Sequence, residues 1–331
     1  MGFRRAFHGC LHLVLQVMLL AAAGHAGAAL KPGDHEFALT HNALKRSYLV
    51  HMPPQSSGHA SLPVVINFHG GGGNARTQKW YSRMDKAADR EGYIAVYPNG
   101  SGGLGERLLT WNAGTCCGMA AVNRVDDVGF VLMLLDDLAR KASIDRTRVY
   151  AMGLSNGSMM AYRLAAEASE RIAAVAGVAG AMTLSSFAPK LPVPVMHIHS
   201  VDDQRALYDG GLGPAFPMAS TRVFHASVSS MIRMWLAHNH CVGQGEAGIP
   251  IAGSGLDEGH TATRFSWRPC GGGSEVVLWK LTGPGHVWPG GQRDFMPLLL
   301  GTSSAVIDAN AEMWKFFSRF SRGGANTAAP E

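Results

Sequence analysis

The stretch RVYAMGLSNGSMMAYRLA, residues 148–165, runs an apolar segment with β-branched and aromatic residues straight into a run of helix formers, with Gly153, Ser155 and Gly157 at the join. A strand, a sharp turn and a helix are expected there. The glycines two before and two after Ser155 remove side chains that would collide across so tight a turn, which presents one hydroxyl with a helix starting just behind it. The first helical N–H groups, that of Asn156 above all, then point toward an anion forming near Ser155. A Gly and Ser turn is common by itself, so its partners decide what it means.

Further β-rich runs flank it. Tyr48 to Met52, PVVINFH from Pro63, YIAVYP from Tyr93, AAVAGVA from Ala173, VPVMHIH from Val193 and EVVLWKL from Glu275 are the other strand candidates. Several are apolar nearly throughout, as strands covered on both faces are. Between them, VDDVGFVLMLLDDLARKA sets Val131, Leu134, Leu135 and Leu138 at helical spacing, with Asp126 or Asp127 as the N-cap. Val228, Met231, Ile232, Trp235 and Leu236 form a second stripe, and a last helix around Ala305 to Phe320 buries Ile307, Trp314 and Phe317. The alternation predicts one α/β domain over 29–320, a mostly parallel central sheet with helices on both faces. The segment from Tyr208 to Ser220, rich in Gly and Pro, reads as a long surface loop bordering a site, and residues 321–331 as a disordered tail.

A serine hydroxyl is a poor nucleophile at neutral pH; it needs a histidine to take its proton and a carboxylate to orient that histidine. Asp203 and His286 each lie just past the carboxyl end of a predicted strand, the edge where a parallel sheet gathers its reactive groups. Asp202 competes with Asp203, but neighbouring side chains diverge, so one carboxylate reaches the imidazole, and Asp203 is preferred. His197 and His199 sit within a strand and read as packed. Gly283 and Gly285 make a mobile, exposed turn around His286. The loop FHGGGGNA after the second apolar strand supplies the remaining oxyanion donor, with Gly71 preferred over Gly70 or Gly72 and His69 bracing the loop. Gly70, Gly72 and Ala75 also satisfy a dinucleotide fingerprint; the following strand ends without the acidic residue that would hold a ribose, which argues against a nucleotide cofactor. Trp111 and Trp288 are candidates for the substrate pocket wall, with core packing the equal alternative.

Hydrophobic residues make up 47% of the chain and charged ones 16%, and the net charge is +5, too mild and scattered to imply nucleic acid or an anionic membrane as partner. The start, MGFRRAFHGCLHLVLQVMLLAAAGHAGAA, has a positive end, a short apolar run and small residues, the pattern of a signal peptide over 1–28. An exported, extracellular or periplasmic protein with no membrane association after its removal is expected. Cys116, Cys117, Cys241 and Cys270 remain and are expected to form disulfides, Cys241 with Cys270 favoured, and the other two as adjacent thiols or a vicinal pair. The run HNHC, His238 to Cys241, has no second ligand pair at metal-binding spacing, so no metal is expected.

The blocks FHGGGGNA, YPNG, WNAGTCCG, RVDDVGF, RVYAMGLSNGSMMAYRLA, PVPVMHIHSVDD, GHVWPG and DANAEMWKFF, in this order between Arg46 and Phe320, resemble those of secreted polyhydroxybutyrate-depolymerase-type esterases and the related feruloyl and acetylxylan esterases. The resemblance implies an α/β-hydrolase fold, a Ser155, Asp203 and His286 triad, no cofactor, and hydroxycinnamoyl, acetyl or hydroxyalkanoate esters as substrates. Two departures stand out: Ser158 replaces a usual glycine, and HSVDDQRALY replaces a stretch resembling HGTADPVVPY. An acyltransferase using the same triad and a catalytically silent binding protein are the rival readings.

Overall fold

The protein is described from a computed structural model covering residues 30–58, 60–215 and 222–323. The proposed signal segment, residues 216–221 of the Gly- and Pro-rich loop and residues 324–331 of the tail lie outside the described residues. In chain order the first strands are β1 (Gly33–His41), β2 (Leu44–Met52), β3 (Leu62–Phe68), β4 (Ile94–Pro98), β5 (Ile144–Leu154), β6 (Ala174–Val178) and β7 (Val195–Ser200). The later ones are β8 (Gly211–Leu212), β9 (Phe224–His225), β10 (Glu246–Ala247), β11 (Ile251–Ala252), β12 (Thr261–Trp267) and β13 (Val276–Thr282). The helices are α1 (Ala75–Ser82), α2 (Met84–Glu91), α3 (Gly118–Val122), α4 (Asp127–Lys141), α5 (Asn156–Glu167), α6 (Val228–His238), α7 (Pro297–Leu300) and α8 (Ala309–Phe317).

One sheet runs in the order β1-β2-β4-β3-β5-β6-β7-β13-β12-β10, with β11 paired to β12. From β4 through β13 neighbouring strands are parallel, while β1, β2 and β12 join antiparallel at the two sides. The alternation of β3 shows how the sheet is sealed: Val64, Ile66 and Phe68 pack into a core with Leu134 of α4, Tyr162 of α5 and Trp235 of α6. Val65 points the other way, into a core with Tyr81 of α1, Met84 of α2 and Phe317 of α8. Each such side chain taken from water contributes about 1.5–3 kcal/mol, which is why strands buried on both faces read as continuous apolar runs. The α/β-hydrolase architecture expected from the sequence is the one observed.

All seven expected strands lie in the sheet. Two further long strands lie toward the sheet's sides: β1 alternates half-buried with exposed residues and is nowhere fully buried, and β12 is fully buried only at Ala262 and Ser266. Asp126 caps α4 by accepting the Gly129 N–H at 2.9 Å. Asp127 instead ties α4 to the sheet. Fully buried, it receives Arg46 of β2 at 2.7 Å and the Asn112 N–H at 2.8 Å. Burial pushes its carboxyl above the usual range, against the pull of Arg46. The last helix is shorter than expected. It starts after Asp308, which caps it through the Ala311 N–H, so Ile307 precedes it and Trp314 is only half-buried. Part of the loop after Tyr208 forms a small separate ribbon, β8 with β9. Cys241 is bonded to Cys270 and Cys116 to Cys117. Within HNHC, Cys241 is thus engaged in a disulfide and His238 Nε2 donates to the Leu191 carbonyl at 3.1 Å.

Candidate active site

The sharp turn after β5 is formed as its glycines predict. Ser155 has φ 57° and ψ −122°, a positive-φ conformation that a non-glycine residue holds only when its surroundings impose it. Those surroundings are backbone at close range. A Cβ on Gly153 would stand 2.5 Å from the Gly157 carbonyl, and one on Gly157 would run into the carbonyl oxygens of Phe68 and His69. Gly180, which carries no signal in the local sequence, is packed the same way against the Ser155 carbonyl. The Ser155 N–H donates to Val178 O at 2.8 Å, which ties the turn to the end of β6. Ser158, where a glycine is usual, fits because its buried hydroxyl donates to Gly180 O at 2.7 Å.

Asp203 follows β7 and His286 follows β13, neighbouring parallel strands, so both leave the sheet at the edge where β5 delivers Ser155. His286 Nδ1 donates to Asp203 Oδ2 at 2.7 Å, with both side chains buried. Asp203 Oδ1 accepts the N–H groups of Arg205 and Ala206 at 2.7 and 2.9 Å. Burial alone would raise the Asp203 carboxyl, but the adjacent His286 and the hydrogen bonds of His199 and His286 hold it far below the usual range. Ser155 is partly exposed and its hydroxyl makes no hydrogen bond among the described residues, so the link from Ser155 to His286 is open here. Such links are commonly long until substrate binds. Asp202 turns away to accept the Gly283 N–H at 2.7 Å, anchoring the turn that carries His286. That turn is packed, contrary to the mobile, exposed one expected from its glycines. His286 is 5% exposed, its N–H donates to Leu300 O, and a Cβ on Gly285 would strike that same carbonyl.

The loop after β3 lies against the serine: a Cβ on Gly70 would be 3.5 Å from Ser155 Cβ. Within it Gly72 N–H is used by Leu109 O and Gly73 N–H by Gly70 O, whereas Gly71 N–H has no hydrogen bond among the described residues. His69 braces the loop, Nδ1 on Gly70 O at 2.8 Å and Nε2 accepting from Gly100 N at 2.9 Å. Its burial pushes the imidazole down to about 4, so it stays neutral. The Asn156 N–H opens α5 and, like the first N–H groups of any helix, has no partner within it. Its side chain has a role that sequence reasoning missed. Asn156 Oδ1 accepts Trp111 N at 2.7 Å and Nδ2 donates to Trp111 O at 3.1 Å, locking the WNAG segment to the turn.

Trp111 and Trp288 take the packing alternative, 0% and 2% exposed. Trp111 donates Nε1 to His69 O at 2.9 Å and sets its ring against Phe68 and His69, supporting the glycine loop from behind. Trp288 N–H donates to the Tyr81 hydroxyl at 3.0 Å. Among the described residues, Asp34, His51 and Asp85 also approach one another; the Lys79 ammonium bonds both Asp34 and Asp85, and His51 bonds Asp34.

Among known proteins, the chain is 29% identical over 276 residues to the putative esterase NocK of Nocardia uniformis subsp. tsuyamanensis, covering 79% of this chain and 76% of that protein. It is 24% identical over 280 residues to the bifunctional acetylxylan esterase/xylanase XynS20E of Neocallimastix patriciarum, and 27% over 247 residues to feruloyl esterase B of Piromyces equi. These matches cover 85% and 73% of this chain but only 34% and 42% of those two proteins. In fold it resembles native pOPH (TM-score 0.55, 15% identity, 92% of this chain and 94% of that one). It also resembles the acetyl xylan esterase from Aspergillus awamori (TM-score 0.52, 13% identity, 86% and 99%). Residues 46–240, the span that carries the glycine loop, the Ser155 turn and Asp203, match the Esterase PHB depolymerase model, and the chain belongs to that family.

Proposed function

We propose that the protein is a secreted serine carboxylic-ester hydrolase working through an acyl-enzyme. His286 takes the Ser155 proton at Nε2 as Oγ attacks the ester carbonyl, and the N–H groups of Asn156 and Gly71 hold the tetrahedral oxyanion. Asp203 fixes the Nδ1–H tautomer and stabilises the imidazolium. The imidazolium then protonates the leaving alcohol as the acyl carbon–oxygen bond breaks. Water repeats the sequence: His286 deprotonates it, it attacks the acyl carbon, and Ser155 leaves with the proton returned. The observation that carries this reading is the 2.7 Å contact of His286 Nδ1 with Asp203 Oδ2 at the sheet edge where a strained Ser155 is displayed.

Relatives named feruloyl esterase and acetylxylan esterase support hydroxycinnamoyl and acetyl esters as substrates, and the family name adds hydroxyalkanoate esters. The Cys241–Cys270 bond and the N-terminal pattern support export to an oxidising compartment. Ser155→Ala is expected to remove p-nitrophenyl acetate hydrolysis down to roughly 10⁻⁵ to 10⁻⁶ of the wild-type kcat while leaving the unfolding midpoint in place. Full turnover in the folded variant would refute the assignment. A panel of methyl ferulate, acetylated xylan and polyhydroxybutyrate then ranks the substrate classes.

A further inference from the structure

Behind the carboxylate of Asp203 lies a buried chain of polar side chains with no part in the acylation and deacylation steps. His197 and His199 are two residues apart on β7 and so share one face of the strand; they are 0% and 2% exposed. The Tyr162 hydroxyl of α5 stands 2.8 Å from His197 Nδ1, and His197 Nε2 stands 3.0 Å from His199 Nδ1. His199 Nε2 meets Ala206 O at 2.8 Å and Asp203 Oδ2 at 3.2 Å. A carbonyl and a carboxylate oxygen only accept, so His199 Nε2 carries a proton. Burial holds His197 well below its ordinary range and hence neutral. The His199 Nε2–H is given to Ala206 O with Asp203 Oδ2 beside it, and behind the ring stand His197 and the Tyr162 hydroxyl, which also donates to Met196 O at 3.0 Å.

We propose that His199, locked from behind by His197, is a positioning residue for catalysis: bonded to Ala206 O, it keeps a second imidazole N–H 3.2 Å from the same Asp203 oxygen that holds His286, fixing the carboxylate's rotation and sharing its charge between two imidazoles. This rests on the reading of Ser155, His286 and Asp203 as the reacting relay. A carboxylate oxygen shared in this way pulls less strongly on the His286 proton than an unshared one, so losing His199 makes His286 harder to deprotonate. The acid limb of the rate profile then moves to higher pH. The other groups facing this cluster are His225 of β9, Arg205, Asp202, Tyr208, whose ring lies edge-on to His199, and Asp209 beside it. They are common to wild type and variant, so the difference between the two profiles isolates His199.

The experiment measures kcat and KM against pH for His199→Phe and His199→Gln, the second of which keeps an N–H within reach of the carboxylate. We expect His199→Phe to lower kcat roughly 10–100-fold, the usual effect of removing a group that orients a catalytic side chain. KM should stay within about twofold, since ground-state binding is untouched. The acid limb should rise in His199→Phe, and His199→Gln should recover most of the rate. Equal losses in both variants with an unmoved acid limb would reduce His199 to a packing role and overturn the proposal. A second measurement needs no variant: ¹⁵N-histidine NMR of the wild type should show His199 protonated at Nε2, with a scalar coupling to His197 across the N–H···N bond. A His199 ring protonated at Nδ1 alone overturns the proposal whatever the kinetics. If Ser155→Ala stayed active, the reading of the site would fall while the NMR result stood, so the two failures are distinguishable.

Discussion

At Asp203 three donors meet two oxygens, Arg205 N–H and Ala206 N–H on Oδ1 and His286 on Oδ2, with His199 Nε2 a further 3.2 Å from Oδ2. A carboxylate so placed has one rotation and one charge state, because protonating it would sacrifice several of these bonds at once. Its neighbour Asp202 accepts one backbone N–H, that of Gly283, from a more exposed position. The two therefore make opposite kinetic predictions. Asp203→Asn should favour the wrong His286 tautomer and lower kcat by on the order of 10⁴-fold. Asp202→Asn should cost less than about tenfold, through slackening of the turn that carries His286. Steady-state kinetics of the two purified variants checks the pair, and equal losses would reverse the assignment of the acid. Sequence placement pointed to Asp203 over Asp202, and the diverging side chains of adjacent residues account for the outcome. It named His286 as a partner but could not reveal the Arg205 and Ala206 N–H groups on Asp203, since these are brought there by the fold of the loop that follows.

The turn between β5 and α5 is an element built by close approach, and its glycines are fixed by what lies opposite them. Phe68 and His69, at the end of β3, put their carbonyls where a Gly157 side chain would have to go. Gly157→Ala should cost about 3 kcal/mol or more, the upper end for overpacking, because the atoms in the way are backbone and cannot rotate aside. Gly58→Ala is the control: its nearest contact is an ordinary 3.5 Å, so its change should stay within about 0.5 kcal/mol. Urea unfolding of both variants measures the difference, and a stable Gly157→Ala with wild-type kinetics would contradict the close approach. The same tightness explains why Asn156 and Trp111 are where they are. An asparagine at the first helical position reaches back to pair both polar groups of the Trp111 backbone, so the serine turn, the WNAG segment and the glycine loop form one hydrogen-bonded unit. Nothing in the local sequence near Asn156 signals a partner 45 residues away.

For the whole molecule, the buried histidines set the response to acid. His69 is held down to about 4 by burial, and burial also holds His197 well below its ordinary range. Each is neutral when folded and takes up a proton when unfolded below about pH 6.5, so their contribution is complete above that pH and is lost as the pH falls toward the folded value. Stability should drop by on the order of 3 kcal/mol from His69 alone between pH 6.5 and 4, at about 1.4 kcal/mol per pH unit, with His197 adding to the slope. Asp203 has the opposite origin but the same direction. Its contribution is present above pH 3.8 and is lost only as pH falls toward its far lower folded value, so it stays intact through the histidine window. Denaturant unfolding at pH 7 and pH 5 tests the sum; equal stabilities would show that these imidazoles are solvated in the folded state.

The sequence by itself determined the central parallel strands, the helices that cover them and the display of Ser155, because each depends on periodicity or on glycines within a few residues. It also determined that Asp203 and His286 leave the same sheet edge, since both follow apolar strands. Tertiary structure alone decided the rest. Trp111 and Trp288 turned inward, since a tryptophan's burial depends on which surfaces close over it. The turn of His286 became packed because Leu300, not its own glycines, lies against it. The Tyr162, His197 and His199 chain became a support for Asp203 because α5, β7 and the following loop meet there, a meeting of residues distant in sequence that no local pattern encodes.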